Sequence, residues 1–288
     1  MAEFHQYRDT DYDAVCNFLI ELNQKDKRHI NWNWARFEWM YGHPEFDYEA
    51  RHTVGLWWEG TRIVGAAIYD MYFGEAFAGV LPGYKKLYPE VLEYAAQELK
   101  DEEGIGIAVR VDNEEEIRAI QRAGFIRDER EETVMRIGLD RKMDAKLPDD
   151  FSIAEPDPFK DVKALQWLFW QGFDHGNDYE QFSQTEQKGS RPRKHADPRL
   201  GLAAVDPSGE YAAFSCLWYH KDTDYAYVEP VCTVPKYRGR GIATGLLNEA
   251  FNRAKELGAK EAYVISDQTF YRKLGFEEAF CFRFFWKH

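Results

Sequence analysis

Gly239 and Gly241 follow an apolar run that opens at Tyr225 and precede a helical period of apolar residues, an arrangement that can seat a phosphate. The first backbone N–H groups of a helix have no partner inside it and lie at its positive end. A strand, a glycine-bearing turn and a helix in that order therefore cradle an anion. Ile242, Leu246, Leu247, Ala250, Phe251, Ala254 and Leu257 share one face at the 3.6-residue period, and Gly258 supplies a left-handed stop. Glu229 stands inside the apolar run, just before Pro230. A carboxylate there must be paired, hydrated or functional, because an isolated buried charge is costly. Cys232 offers an acyl-cysteine step, but a buried thiol is inert unless something lowers its pKa, and no neighbour in sequence does.

The turn lacks the Gly-Lys-Ser/Thr ending of a P-loop and the G-x-G-x-x-G of a dinucleotide fold. Arg238-Gly239-Arg240-Gly241-Ile242-Ala243 follows the pattern Arg/Gln-x-x-Gly-x-Gly/Ala, and Tyr271 with Gly275-Phe276 follows Tyr-x-x-x-Gly-Phe. In this order and spacing the C-terminal half resembles the GNAT acyl-CoA transferase superfamily. The resemblance implies an α/β (α+β) chain of two GNAT-like domains, each a mixed, mostly antiparallel sheet flanked by helices. It implies acetyl-CoA as acyl donor and transfer of the acetyl group to a primary amine of a small molecule or peptide. Backbone N–H groups of Val231, Cys232 and Thr233 would then face the thioester arm, and Arg238, Gly239, Arg240, Gly241, Ala243 and Thr244 would hold the diphosphate. Tyr271 would protonate the departing sulfur, a phenol of pKa about 10 facing a thiol of about 8.5. Glu229 is the candidate general base, with a structural salt bridge as the competing role. An asparagine common in the family seven residues before the tyrosine is replaced here by Val264.

These residues need a scaffold, and the chain supplies it twice. A strand and capped helix over 4–22, an aromatic helix face with Trp34, Phe37 and Tyr41, and a hairpin about Glu59-Gly60 open the chain. A strand through Phe77 to Leu81, a helix over 90–99, a strand over 105–111, a helix over 114–123 and a strand over 133–137 follow. Gly124-Phe125 matches Gly275-Phe276, Pro82 matches Pro235, and Gly60 matches Gly209, at offsets between 149 and 153. A tandem duplication follows, with domains 1–143 and 151–288 and a polar linker over 140–150. The first copy carries Lys86 and Tyr88 at the glycine positions, Pro89 and Glu90 after them, and Ile120 in place of Tyr271. It is expected neither to seat acetyl-CoA nor to catalyse. Only twelve residues follow Phe276, little room for a full terminal hairpin, so the first copy is expected either to complete the acceptor site or to buttress the fold.

Composition bounds the rest. With 288 residues, 44% hydrophobic and 16% aromatic, the chain is globular. Residues 1–145 hold 29 Asp and Glu against 18 Lys and Arg, and 146–288 hold 21 against 19, so most of the net charge of −13 sits in the first half. The half with the phosphate seat is nearly neutral, and the acidic half suits a cationic acceptor, though such acidity more often serves only solubility. A basic stretch with Lys188, Arg191, Arg193, Lys194, His195 and Arg199 suits an anionic acceptor or a CoA phosphate, though most such stretches are solvated surface. Nucleic acid is disfavoured without a basic face. The four scattered cysteines predict buried free thiols and no metal site. The absence of a leader or long apolar span predicts a cytoplasmic protein with no membrane partner. A homodimer stays open. Two other readings also stay open: a non-catalytic acyl-CoA-binding or sensing module, and an aminoacyl transferase using charged tRNA, which the acidic balance disfavours.

Overall fold

The computed structural model describes residues 2–184 and 193–288; Lys188 and Arg191 of the basic stretch lie outside them. The first half runs β1 (Glu3–Gln6), α1 (Tyr12–Leu22), α2 (Trp34–Gly42), β2 (Gly55–Glu59), β3 (Arg62–Asp70), β4 (Tyr72–Val80), α3 (Tyr88–Glu98), β5 (Ile105–Arg110), α4 (Glu114–Arg122) and β6 (Ile126–Gly138). The second runs β7 (Ser152–Ala154), α5 (Val162–Gly172), α6 (Tyr179–Gln184), β8 (Gly201–Val205), β9 (Tyr211–Tyr219), β10 (Tyr225–Thr233), α7 (Ile242–Leu257), β11 (Glu261–Ile265), α8 (Thr269–Leu274) and β12 (Glu277–Lys287). The strands form one sheet in the order β1-β2-β3-β4-β5-β12-β6-β11-β10-β9-β8-β7. Among the described residues only β4/β5 and β10/β11 pair in parallel, so the sheet is mixed and mostly antiparallel, as expected.

Both parallel pairs come apart after a short contact. β4 and β5 share register only at Glu75–Ala76, and β10 and β11 only from Tyr225 to Tyr227. Hairpins form about Gly60 and Gly209, both with positive φ, a backbone state glycine adopts without strain.

The end of the chain departs most from the sequence reading. The strand expected over 133–137 spans thirteen residues as β6, because β12 and β11 both pair with it. β12, the lone terminal strand, inserts between β5 and β6. Each half thus completes the other's sheet. The cores follow the same exchange: Trp218, Tyr225, Tyr227 and Tyr263 pack into the first-half core, while Met135, Ile137 and Leu139 pack beneath α7.

The aromatic face of α2 is core, with Trp34 and Phe37 buried, and Trp34 meets Trp218 edge-on at 6.3 Å between ring centres. The polar linker is pinned along α7: Asn252 accepts from Met143 N–H at 2.8 Å and donates to Met143 C=O at 3.0 Å. Gly245 on α7 leaves room for this, since a Cβ there would lie 2.7 Å from Lys146 C=O. Among the described residues no helix is long and apolar enough to cross a membrane.

Candidate functional site

The opening between β10 and β11 begins where the chain dictates a break. The β10 register against β9 slips between Val228 and Val231, at Glu229-Pro230, and then resumes with Val231, Cys232 and Thr233 opposite Ser215, Phe214 and Ala213. β11 has no register with these three residues, so β10 leaves its parallel neighbour on the way to the glycine turn. Cys232 is buried under α5, where a Cβ on Gly172 would lie 2.7 Å from its sulfur. Burial pushes the Cys232 thiol up to about 12, which keeps it protonated and unsuited to nucleophilic attack.

Gly239 and Gly241 both have left-handed φ, +76° and +81°, and a Cβ at either would meet nothing within 4 Å. Glycine is required there by backbone conformation, and the space above it is open. Gly241 caps α7, so the N–H groups of Ile242, Ala243 and Thr244 are those of a helix's first turn. The residues present fit a diphosphate through backbone groups. Arg238 and Arg240 are already engaged: Arg238 donates to Thr233 C=O (3.0 Å), Gly172 C=O (2.9 Å) and Asp174 (3.0 Å), and Arg240 pairs with Asp150 at 2.8 Å. Their guanidiniums brace the turn against α5 and the linker.

Tyr271 sits on α8, which Gly275 ends with φ +104°. It is buried against Phe276, and its pKa is raised, first by burial and then by the charge of Glu229. The two candidate catalytic groups are therefore close enough to feel each other. Glu229 Oε2 accepts from Tyr227 O–H at 2.7 Å, and Glu229 C=O accepts from Trp218 Nε1–H at 2.7 Å. Burial raises the Glu229 pKa; the Tyr227 hydrogen bond and the charge of Arg36 oppose the rise, while Asp70 and Glu132 add to it.

Arg36, Asp70 and Glu132 belong to the first half, and nothing local in the sequence ties them to Glu229. Arg36 on α2 pairs with Asp70 at 2.6 Å and with Glu132 at 3.2 Å, and Asn31 donates to Glu132 at 3.0 Å. Reciprocal contacts hold the halves together here. Lys27 pairs with Asp224 at 2.7 Å, and buried Glu38 accepts from His195 N–H at 2.5 Å with His195 Nδ1 at 3.0 Å. Cys16, Glu38 and His195 also come within 4.8 Å of one another, a grouping the scattered cysteine positions do not reveal. Of the four thiols expected to be buried, Cys16 and Cys232 are, while Cys216 and Cys281 are partly exposed.

The positions matched to the cradle in the first half look different in space as well. Glu90, at the start of α3, accepts from Trp57 Nε1–H at 2.8 Å, Tyr88 is buried, and Ile120 is fully buried where Tyr271 stands in the second half.

Residues 159–276 match the family model described as acetyltransferase (GNAT) family. An uncharacterized N-acetyltransferase, YhbS, of Escherichia coli K12 is 33% identical over 84 residues, 28% of this chain and 50% of that protein; the chain thus spans about half the length of the curated relative it matches. Among solved structures, a GCN5-related N-acetyltransferase from Sphaerobacter thermophilus superposes with TM-score 0.55 at 18% identity, over 99% of this chain and 95% of that one. A tandem GNAT protein from the clavulanic acid biosynthesis pathway superposes with TM-score 0.60 at 14% identity, over 100% of this chain and 98% of that one. The chain has the GNAT acetyltransferase fold.

Proposed function

We propose that the protein is an N-acetyltransferase whose second half, residues 151–288, takes acetyl-CoA and passes its acetyl group to a primary amine. The observation that carries this reading is the opening between β10 and β11: it leads into a left-handed glycine turn at the start of α7 and has Glu229 and Tyr271 within electrostatic reach of each other. In this reading Val231, Cys232 and Thr233 offer backbone N–H groups to the thioester carbonyl, and Gly239, Gly241, Ala243 and Thr244 hold the diphosphate with Arg238 and Arg240 bracing the turn. Glu229 takes a proton from the attacking amine, directly or through water. Amide N–H groups of β10 stabilise the oxygen that gains charge as the C–N bond forms. Tyr271 supplies the proton to the sulfur as the C–S bond breaks.

The first half, residues 1–143, acts as a degenerate copy that completes the acceptor site. Its support is the position of Arg36, Asp70 and Glu132 beside Glu229 and the loss of the glycine turn and tyrosine from its own cradle. The acceptor is a small-molecule or peptide amine, and the reaction belongs in the cytoplasm, where acetyl-CoA is available.

Calorimetry with acetyl-CoA tests the reading. One site per chain is expected, abolished in Gly241→Glu, which places bulk and negative charge where the diphosphate would lie. Two sites would mean that the first half binds as well. No binding would remove the acetyl-CoA reading altogether.

A further inference from the structure

Within the basic stretch, the described cations have different fates. Lys194 pairs with Asp13, and Arg199 pairs with Asp197 at 2.6 Å. Arg193 instead turns inward and is partly buried. Its guanidinium carbon lies 5.8 Å from the centre of the Trp218 ring, and its Nε is shut off from water with no hydrogen-bond partner among the described residues. No ion pair forms on it among the described residues, although Glu38 and Glu229 are near enough to act on it through space. A buried guanidinium left without an anion is costly, and a carboxylate or phosphate is its natural counterpart.

The opposite charge also lacks an ion pair among the described residues. Among the described residues no cation lies within ion-pair distance of Glu229, whose side chain has only the Tyr227 hydroxyl. Arg36, the cation that acts on it most, is already held by Asp70 and Glu132. The same indole joins the two unpaired groups: Arg193 lies over the Trp218 ring, and the Trp218 N–H holds the Glu229 carbonyl at 2.7 Å.

We propose, resting on the acetyl-transfer reading above, that the acceptor is an amine that also carries an oxyanion, with Arg193 receiving the oxyanion while Glu229 faces the amine. An amino acid has this charge pattern, and so does an amino alcohol phosphate. The planar fork of arginine donates two N–H groups to either oxyanion in a bidentate manner.

The test uses the full chain and follows release of free CoA from acetyl-CoA. The probes are the common α-amino acids, each beside its methyl ester and amide, and phosphoethanolamine beside ethanolamine. The acid is expected to exceed its ester by about 10- to 100-fold in kcat/KM, as loss of a charge-assisted contact implies. Arg193→Gln should erase that preference, Arg193→Lys should keep part of it, and neither should change acetyl-CoA affinity. A preference confined to phosphoethanolamine would assign phosphate as the oxyanion. Equal use of acid and ester by the wild type overturns the proposal, and so does a loss of acetyl-CoA affinity in Arg193→Gln, which would make Arg193 a cofactor contact. A second measurement needs no substrate: Arg193→Met should leave the melting temperature of the ligand-free protein unchanged or higher, because it removes a partly buried charge that has no ion pair among the described residues. A drop of several degrees would make Arg193 a structural cation and end the proposal. A wild type that binds no acetyl-CoA would instead remove the parent reading.

Discussion

Burial raises the pKa of both side chains proposed for the chemistry, and the effect differs in kind. For Glu229 it moves the carboxyl toward the pH at which a base is most useful. For Tyr271 it keeps the phenol protonated and makes it a weaker acid than the free side chain the sequence suggests. Tyr271→Phe should therefore lower kcat by about 10²-fold or more while acetyl-CoA affinity holds, measured by turnover and calorimetry. The acid limb of the kcat/KM profile should lie above the ordinary glutamate range, with activity rising as pH rises through it. Tyr227→Phe removes a hydrogen bond that favours the charged carboxylate, so that limb should move to still higher pH. Glu229→Gln should lose activity yet raise the melting temperature at neutral pH. A carboxyl whose folded pKa exceeds its unfolded value loses stability as pH climbs from the unfolded pKa to the folded one, and glutamine escapes that loss.

The cradle depends on how closely α5 lies against β10. Gly172 ends that helix, its carbonyl takes a hydrogen bond from Arg238 at 2.9 Å, and a Cβ on it would sit 2.7 Å from Cys232 Sγ. Gly172→Ala should push the end of α5 from the strand and shift the glycine turn it braces. The expected outcome is a loss of about 1–3 kcal/mol in denaturant unfolding, together with weaker acetyl-CoA binding. Unchanged stability would show that the helix moves freely there.

Across the whole molecule, the strand exchange should make the two halves unfold as one cooperative unit. β12 supplies the neighbour of both β5 and β6, and β6 in turn supplies the neighbour of β11. Removing residues 277–288 should expose the edges of β5 and β6 and strip Phe282 and Phe285 from the first-half core, where both are buried. Calorimetric unfolding should show a single transition for the full chain and no cooperative transition in the truncated one. Two well-separated transitions in the full chain would mean that the halves unfold independently despite the exchange.

Gly239, Gly241, Gly258 and Gly275 were legible in the sequence because each marks a backbone state that other residues adopt only with strain. The helical period of α7 was legible for a similar reason: one face of a helix must be apolar to pack, and spacing alone shows which. Glu229 could be flagged as anomalous from its apolar neighbours, but its role could not be weighed. Its environment is set by Arg36, Asp70 and Glu132, which lie far away in sequence and on three separate elements. The strand after Phe276 was legible as a strand, but not its partners, β5 and β6. The destination of β12 depends on which strand edges are left open elsewhere, and Arg193 became distinct from its basic neighbours only through the indole and buried surfaces around it. Local backbone geometry and periodicity are written in neighbouring residues, whereas strand pairing and charge compensation are set by groups that only the folded chain brings together.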